Sequence, residues 1–250
     1  MTHQFALSPD VNVRNLSHWF VFNTRLQKLA DQSLHLTAFD DFGELHRAIE
    51  REEVDLVFAN SADTALLVRE RGFAPLASPQ GVSDEAMIVV STEGGARSLA
   101  DLAGGPLSVA AADAPDVDRI CRILLEPVDV VREDVQITRK RNPVLVAKAV
   151  ISGEARAGFL LAAAFSELSE ATRRLLRPVA SSHIYVVRHS LLVGPRLAAV
   201  HGQLLAALDL ISANEGDRSM LEGLGAPAGW SPMSREDAEF LIDLMDTLQG

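Results

Sequence analysis

The stretch AAADAPDVDR, Ala110–Arg119, sets Asp113, Asp116 and Asp118 between an apolar run and a helical pattern. Carboxylates in such a loop recognise an amine, a guanidinium or a metal cation, or else cap the helix and complement its dipole. A second group, Thr138-Arg-Lys-Arg-Asn142, follows the next apolar run. Arg139 and Arg141 can each grip a carboxylate or phosphate with two parallel hydrogen bonds, or pair with nearby acids on a solvated edge. Asp113 and Asp116 are expected near this run, where the opposite charges neutralise each other or bind the two ends of a zwitterion. Ser8, Asn60, Ser61 and Asn142 are hydrogen-bonding residues where apolar runs end. Asn60 or Ser61 serves equally as a helix cap. Tyr185, the only tyrosine, lies beside His183 on an extended stretch, where it contacts a ligand or packs. The candidate ligand-binding set is therefore Ser8, Asn60, Ser61, Asp113, Asp116, Arg139, Arg141, Asn142 and Tyr185.

Catalysis finds little support. The seven histidines are scattered, with no metal-ligand spacing. Neither a Gly-x-Ser-x-Gly elbow, a Walker loop nor Gly-x-Gly-x-x-Gly occurs, so no catalytic residue, metal or cofactor is expected. Cys121 is the only cysteine, which excludes an intrachain disulfide and fits a small buried apolar residue on a helix.

The elements that must position these residues alternate. QFAL, LHLTAF and VDLVFA are short apolar runs separated by helical patterns at about 18–30 and 42–51, the βαβαβ rhythm. A helix capped by Asn60 or Ser61 runs to Arg71, and Ala74–Ala77 leads to the strand Ala86–Thr92. The rhythm then repeats with PLSVAAA, a helix over 116–125, VQITR, a helix over 143–152 and ARAGFLLA. A helix near 165–176, the extended HIYVVRHSLLV and helices over 195–213 and 234–248 complete the chain, with APAGWSP read as a turn. Trp19 is expected in the core or a cleft wall. Two crossings near 90–93 and 180–186 predict two lobes with a cleft between them: residues 1–92 plus 182–250 in lobe I and 93–181 in lobe II, each with a parallel or mixed sheet flanked by helices. Ligands of such sheets sit beyond the carboxyl ends of the strands, so the loops 8–12, 60–63, 111–116 and 138–142 are expected to face that cleft.

Composition bounds the partners. At 250 residues and 48% hydrophobic content the chain can build ample core, and its formal charge of −11 argues against nucleic acid. Apolar runs such as 157–165 fall short of the ~20 residues that span a bilayer, so no direct membrane insertion is expected. No leader-like start is visible, and the expected location is cytoplasmic as written, or periplasmic if a leader has been removed.

The order of pieces resembles the type II periplasmic-binding-protein fold, and specifically the phosphate/phosphite/phosphonate-binding family of ABC-transporter substrate-binding proteins. REEVDLVFAN, SLADLAGGPLSVA, AVISGEARAGFL and MLEGLGAPAGWSPMSREDAEFLIDL carry the likeness across nearly the whole chain. The resemblance implies a non-catalytic protein whose two lobes close on a small polar or anionic solute, with a permease, sensor kinase or enzyme as partner. It also implies a hydroxyl-rich ligand loop at 111–116, a tyrosine in the helix after VDLVFAN and a histidine at 142. Here the residues are Ala111-Ala112-Asp113-Ala114-Pro115-Asp116, SADTALL and Asn142, so an altered ligand is expected. Two alternatives remain open: an enzyme of small-metabolite biosynthesis on the same fold, as in menaquinone-pathway relatives or pyrimidine-precursor synthases, and a member without ligand that acts through protein partners.

Overall fold

A computed structural model of the chain describes residues 2–11 and 15–247. Positions 12 and 248, the expected ends of one loop and of the last helix, lie outside them. The chain divides into two compact units, Met1–Ser83 with Arg188–Asp246, and Asp84–Val187. The division falls at 83/84 and 187/188 rather than at the expected 92/93 and 181/182. The reason is hydrogen bonding: the strand over 86–91 pairs with strands of the second unit on both sides.

The first unit begins with β1 (His3–Leu7), α1 (Leu16–Ala30), β2 (Leu34–Ala38), α2 (Phe42–Glu50), β3 (Leu56–Ala59), α3 (Ser61–Glu70) and β4 (Ala74–Pro79). The second unit contains β5 (Ala86–Ser91), β6 (Leu107–Ala111), α4 (Pro115–Leu125), β7 (Val135–Arg139), α5 (Pro143–Ile151), β8 (Ala157–Leu161), α6 (Ala162–Ser166), α7 (Glu170–Arg174) and β9 (Leu176–Ser181). The chain then re-enters the first unit with β10 (Ser190–Val193), α8 (His201–Ala213), α9 (Arg218–Gly223), β11 (Trp230–Pro232) and α10 (Arg235–Thr247). No single described helix is long and apolar enough to cross a membrane.

Both sheets are mixed. The first runs β11-β4-β10-β3-β1-β2, with β1 parallel to β2 and β3 and with β10 antiparallel to β3 and β4. The second runs β7-β6-β8-β5-β9, parallel across β7, β6 and β8 and antiparallel on both sides of β5. The apolar runs read as strands because helices cover both faces of a crossover sheet, and β3 is buried along its whole length.

Two strands had no signal in the sequence. The helix expected over 165–176 is instead α6 and α7 followed by β9, because the Ser169 side chain accepts from Thr172 N and starts a new helix. Pro178 hides β9, and Pro232 hides β11 within the expected turn; each lies on a sheet edge, where a missing N–H costs no ladder bond. Gly229, with φ +84°, makes the turn into β11, where a Cβ would stand 2.5 Å from the Ser212 side chain that binds Trp230 N.

Trp19 is core, as one of its two expected placements. Its ring meets Phe5, Phe22, Phe58 and Trp230 at centroid separations of 4.7–6.4 Å, tying α1 to three strands of the first sheet. Each such aromatic buried from water contributes roughly 1.5–3 kcal/mol. In the second unit Gly158 on β8 lets α5 pack closely, since a Cβ there would lie 2.9 Å from Val150 Cγ2 and 3.1 Å from Val146 Cγ1.

Candidate functional site

In the first unit the carboxyl ends of β1 and β3 and the amino end of β10 meet at one carboxylate. Ser8 N donates to Phe58 O at 3.0 Å, which extends β1 along β3 and brings the following turn over the sheet edge. Asp10 sits in that turn with its side chain 6% exposed. Its Oδ1 accepts from Ser8 Oγ and lies 3.0 Å from His189 Nε2, and its Oδ2 accepts from Asn60 Nδ2 at 3.0 Å. A carboxylate only accepts, so the ring proton of His189 sits on Nε2. His189 stacks on Phe58 with centroids 5.2 Å apart, which fixes the ring plane. Burial alone pushes the Asp10 carboxyl up, but the His189 charge and the bonds from His189, Ser8 and Asn60 outweigh it and leave the group below its ordinary value.

Asn60 has two roles at once. Its Oδ1 caps α3 by accepting from Asp63 N at 2.9 Å, while its amide reaches Asp10. Ser61 is fully buried, and its Oγ donates to Arg188 O at 3.3 Å. One turn into α3, buried Asp63 places Oδ1 2.7 Å from His46 Nε2, and its Oδ2 has no hydrogen-bond partner. Burial raises the Asp63 carboxyl, with His46 opposing. This is an anionic, hydrogen-bond-rich cluster at the strand ends. It offers polar and charged groups for recognition of a small molecule, among them two carboxylate–imidazole contacts. Among the described residues no group of His, Cys, Asp and Glu has metal-binding geometry.

The second unit resolves its strand-end charges differently. β6 and β7 are neighbours in register, Ala111 opposite Arg139, as their sequence placement requires. The partner of Arg139 is nevertheless Asp118 rather than Asp113: Arg139 Nη2 pairs with Asp118 Oδ2, and Nη1 donates to Ala112 O at 2.8 Å. The helical period explains the difference, because Asp118 lies on the buried side of the first turn of α4 while Asp113 precedes the helix and is exposed. Asp116 is buried beside it. Ala114, at the N-cap position, has no capping side chain, so Asp116 and Asp118 supply the negative charge that this helix end favours. Burial raises the Asp118 carboxyl against the bond and charge of Arg139.

The remaining candidates lie near the same strand ends or on the extended segment before β10. Asn142 caps α5 by accepting from Leu145 N at 3.0 Å, Lys140 pairs with Glu154, and Arg141 is exposed. Tyr185 is 67% exposed, with φ +59°, a left-handed conformation unusual for an aromatic residue. Its ring stacks on His183 with centroids 6.1 Å apart. Its backbone is held by Glu85, which accepts from Tyr185 N at 2.7 Å and Ile184 N at 3.0 Å and also takes the Ser182 hydroxyl. The structure thus joins Ser8 and Asn60 through Asp10, and the Asp113 charge acts on Arg139 across the loop. Asp10, His189, His46 and Asp63 were not singled out from sequence, and Asp118 was noted without a partner; the Ser-Pro-Asp turn directly after a strand was the one local signal, for Asp10. Cys121 is buried as expected, with its thiol raised by burial.

The family described as "ABC transporter, phosphonate, periplasmic substrate-binding protein" matches residues 5–238. The chain belongs to that family. It is a solute-binding protein of the ABC-transporter kind, and binding rather than catalysis is what the family does. Family members are periplasmic and work with transporter permease components. Among curated proteins, none matches. Among solved structures, PhnD1 from Prochlorococcus marinus (MIT 9301) in complex with methylphosphonate is similar at a TM-score of 0.83 and 13% identity, covering 99% of this chain and 98% of that one. XAC2383 from Xanthomonas citri, in a structure bound to ATP, gives 0.75 and 17%, with 99% and 97% covered. The alkanesulfonate-binding protein SsuA from Xanthomonas axonopodis pv. citri, bound to MOPS, gives 0.69 and 15%, with 99% and 93% covered. The fold of this substrate-binding protein is the two-lobed type II periplasmic-binding-protein fold.

Proposed function

We propose that this substrate-binding protein closes its two lobes on a small polar or anionic solute other than a simple phosphonate, and delivers it to a permease. The observation that carries this reading is the start of α4. Where the family resemblance implies hydroxyls, this helix end has Ala111, Ala112 and Ala114 with its own buried Asp116 and Asp118. A phosphonate dianion brought to that end would meet carboxylates already occupying the favourable field of the helix dipole. The similar proteins seen with methylphosphonate, MOPS and ATP support an anion-bearing ligand for this fold. Ser8, Asn60 and Ser61 are the proposed ligand-facing set of the first lobe, and Asp113, Asp116, Arg141, Asn142 and Tyr185 that of the second, with Arg139 engaged by Asp118.

A thermal-shift panel of methylphosphonate, phosphate, an alkanesulfonate, amino acids and polyamines tests it. A solute that binds only the native state at a hundred times its Kd adds about 2.7 kcal/mol of stability. One class other than methylphosphonate should raise the melting temperature, and Ser8→Ala should reduce the shift. Stabilisation by methylphosphonate alone would restore the ordinary ligand of the family, and silence from every class would overturn the receptor reading.

A further inference from the structure

On the second unit, α4, the segment over 126–132 and Arg139 line a half-open pocket of about 590 Å³. Four guanidiniums line it, Arg119, Arg122, Arg132 and Arg139, against three carboxylates, Asp118, Glu126 and Asp129. In a chain of net charge −11 that is a local reversal of sign. Of the four, only Arg139 has an ion pair among the described residues, with Asp118. Arg119 and Arg122 stand at i and i+3 on α4, on one face and one turn apart. Arg122 Nη1 donates to Arg132 O at 3.0 Å, which ties the third arginine to the same face. Arg119 and Arg132 thus have no ion pair among the described residues, and Arg122 reaches Asp118 only through its charge, an excess of cations that an anion relieves.

We propose that this cavity is a second ligand site, for a small multivalent oxyanion bearing phosphate or carboxylate groups. The planar fork of arginine matches either group in bidentate fashion. The volume falls within the ~300–1,000 Å³ of ordinary small-molecule sites, which exceeds what one phosphate fills and suits a molecule carrying two or more anionic groups. Val131, 54% exposed at the cavity wall, offers apolar contact to the body of such a ligand. The site lies on the helix flank beside the edge strand β7 and does not depend on the ligand reading given above.

Isothermal titration of the full chain with inorganic pyrophosphate, and separately with citrate, decides the matter. Saturable binding is expected for at least one probe, and the stronger of the two identifies phosphate or carboxylate as the preferred group. Arg119→Ala and Arg132→Ala should each weaken it at least about tenfold, the loss of one charge-assisted pair. Arg119→Lys, which keeps the charge and loses the fork, should weaken it less. Arg173→Ala removes an exposed charge of the same unit and should leave affinity unchanged. No saturable binding of either probe at millimolar concentration overturns the site, as does an equal loss in Arg173→Ala and Arg119→Ala, which would mean attraction to net charge alone. The Arg119 side chain has no protein partner among the described residues, so the variant should fold, and its circular dichroism melt verifies this.

Discussion

The two units end their parallel strands in opposite ways. In the first, one buried carboxylate, Asp10, gathers Ser8 of its own turn and the sequence-remote Asn60 and His189 into a single network. In the second, charges cancel in separate pairs, Asp118 with Arg139 and Lys140 with Glu154, and Asp113 stays in solvent. A network around a buried anion fails when its centre is removed, whereas paired surface charges fail one at a time and cheaply. The first unit therefore gathers its strand-end polarity at one centre, and the second leaves cationic groups over for the cavity beside α4.

The sharpest way to break the comparison is Asp10→Ala. Removing one partner of a buried pair strands the others, and a loss of about 3–5 kcal/mol is expected for the first unit. Both tryptophans, Trp19 and Trp230, lie in that unit's core, so urea unfolding followed by their fluorescence reads it selectively. A loss below that of an ordinary surface change would mean that the network is not the keystone described. Gly158→Ala should cost about 1–3 kcal/mol through overpacking against Val146, Val150 and Val89, and this loss should appear in calorimetry of the second unit.

Acid should separate the groups by sign. Asp10 is held below the ordinary 3.8, so its contribution is complete above that value and disappears as pH falls through its lower folded value. Asp63 and Asp118 are raised, so folding binds their protons more readily, and their effect is opposite: stability rises as pH falls through their folded values toward 3.8. Unfolding midpoints measured against pH should lose the acid gain in Asp63→Asn and Asp118→Asn, and lose the steep fall below 3.8 in Asp10→Asn. The smallest effect is expected of Arg139→Ala. Its side chain is about half exposed, and the screened pair with Asp118 should be worth less than about 1 kcal/mol in the same melts.

Much of the fold was legible because helices on both faces of a crossover sheet force short apolar runs on its strands. β1, β2, β3, β6 and β7 all stand where their runs predict. β9 and β11 were not legible, since a proline reads as a turn unless the strand is known to be an edge. Within the site, Asn60 was readable as a cap, because capping is decided within one helical turn. Asp10 and His189 were not, because nothing local relates a turn after the first strand to the residue before the tenth.

The sequence by itself determined the βα rhythm, the two-lobed family and the replacement of hydroxyls by carboxylates at the start of α4, all of which depend on local pattern and order. Only the tertiary structure decided which charges meet. It gave Arg139 to Asp118 because helical rotation turned that residue inward. It brought His189 to Asp10 because β10 returns antiparallel against β3, an adjacency fixed by hydrogen bonds across the sheet. The arginines beside α4 likewise became one cavity only when the segment over 126–132 folded back against the helix.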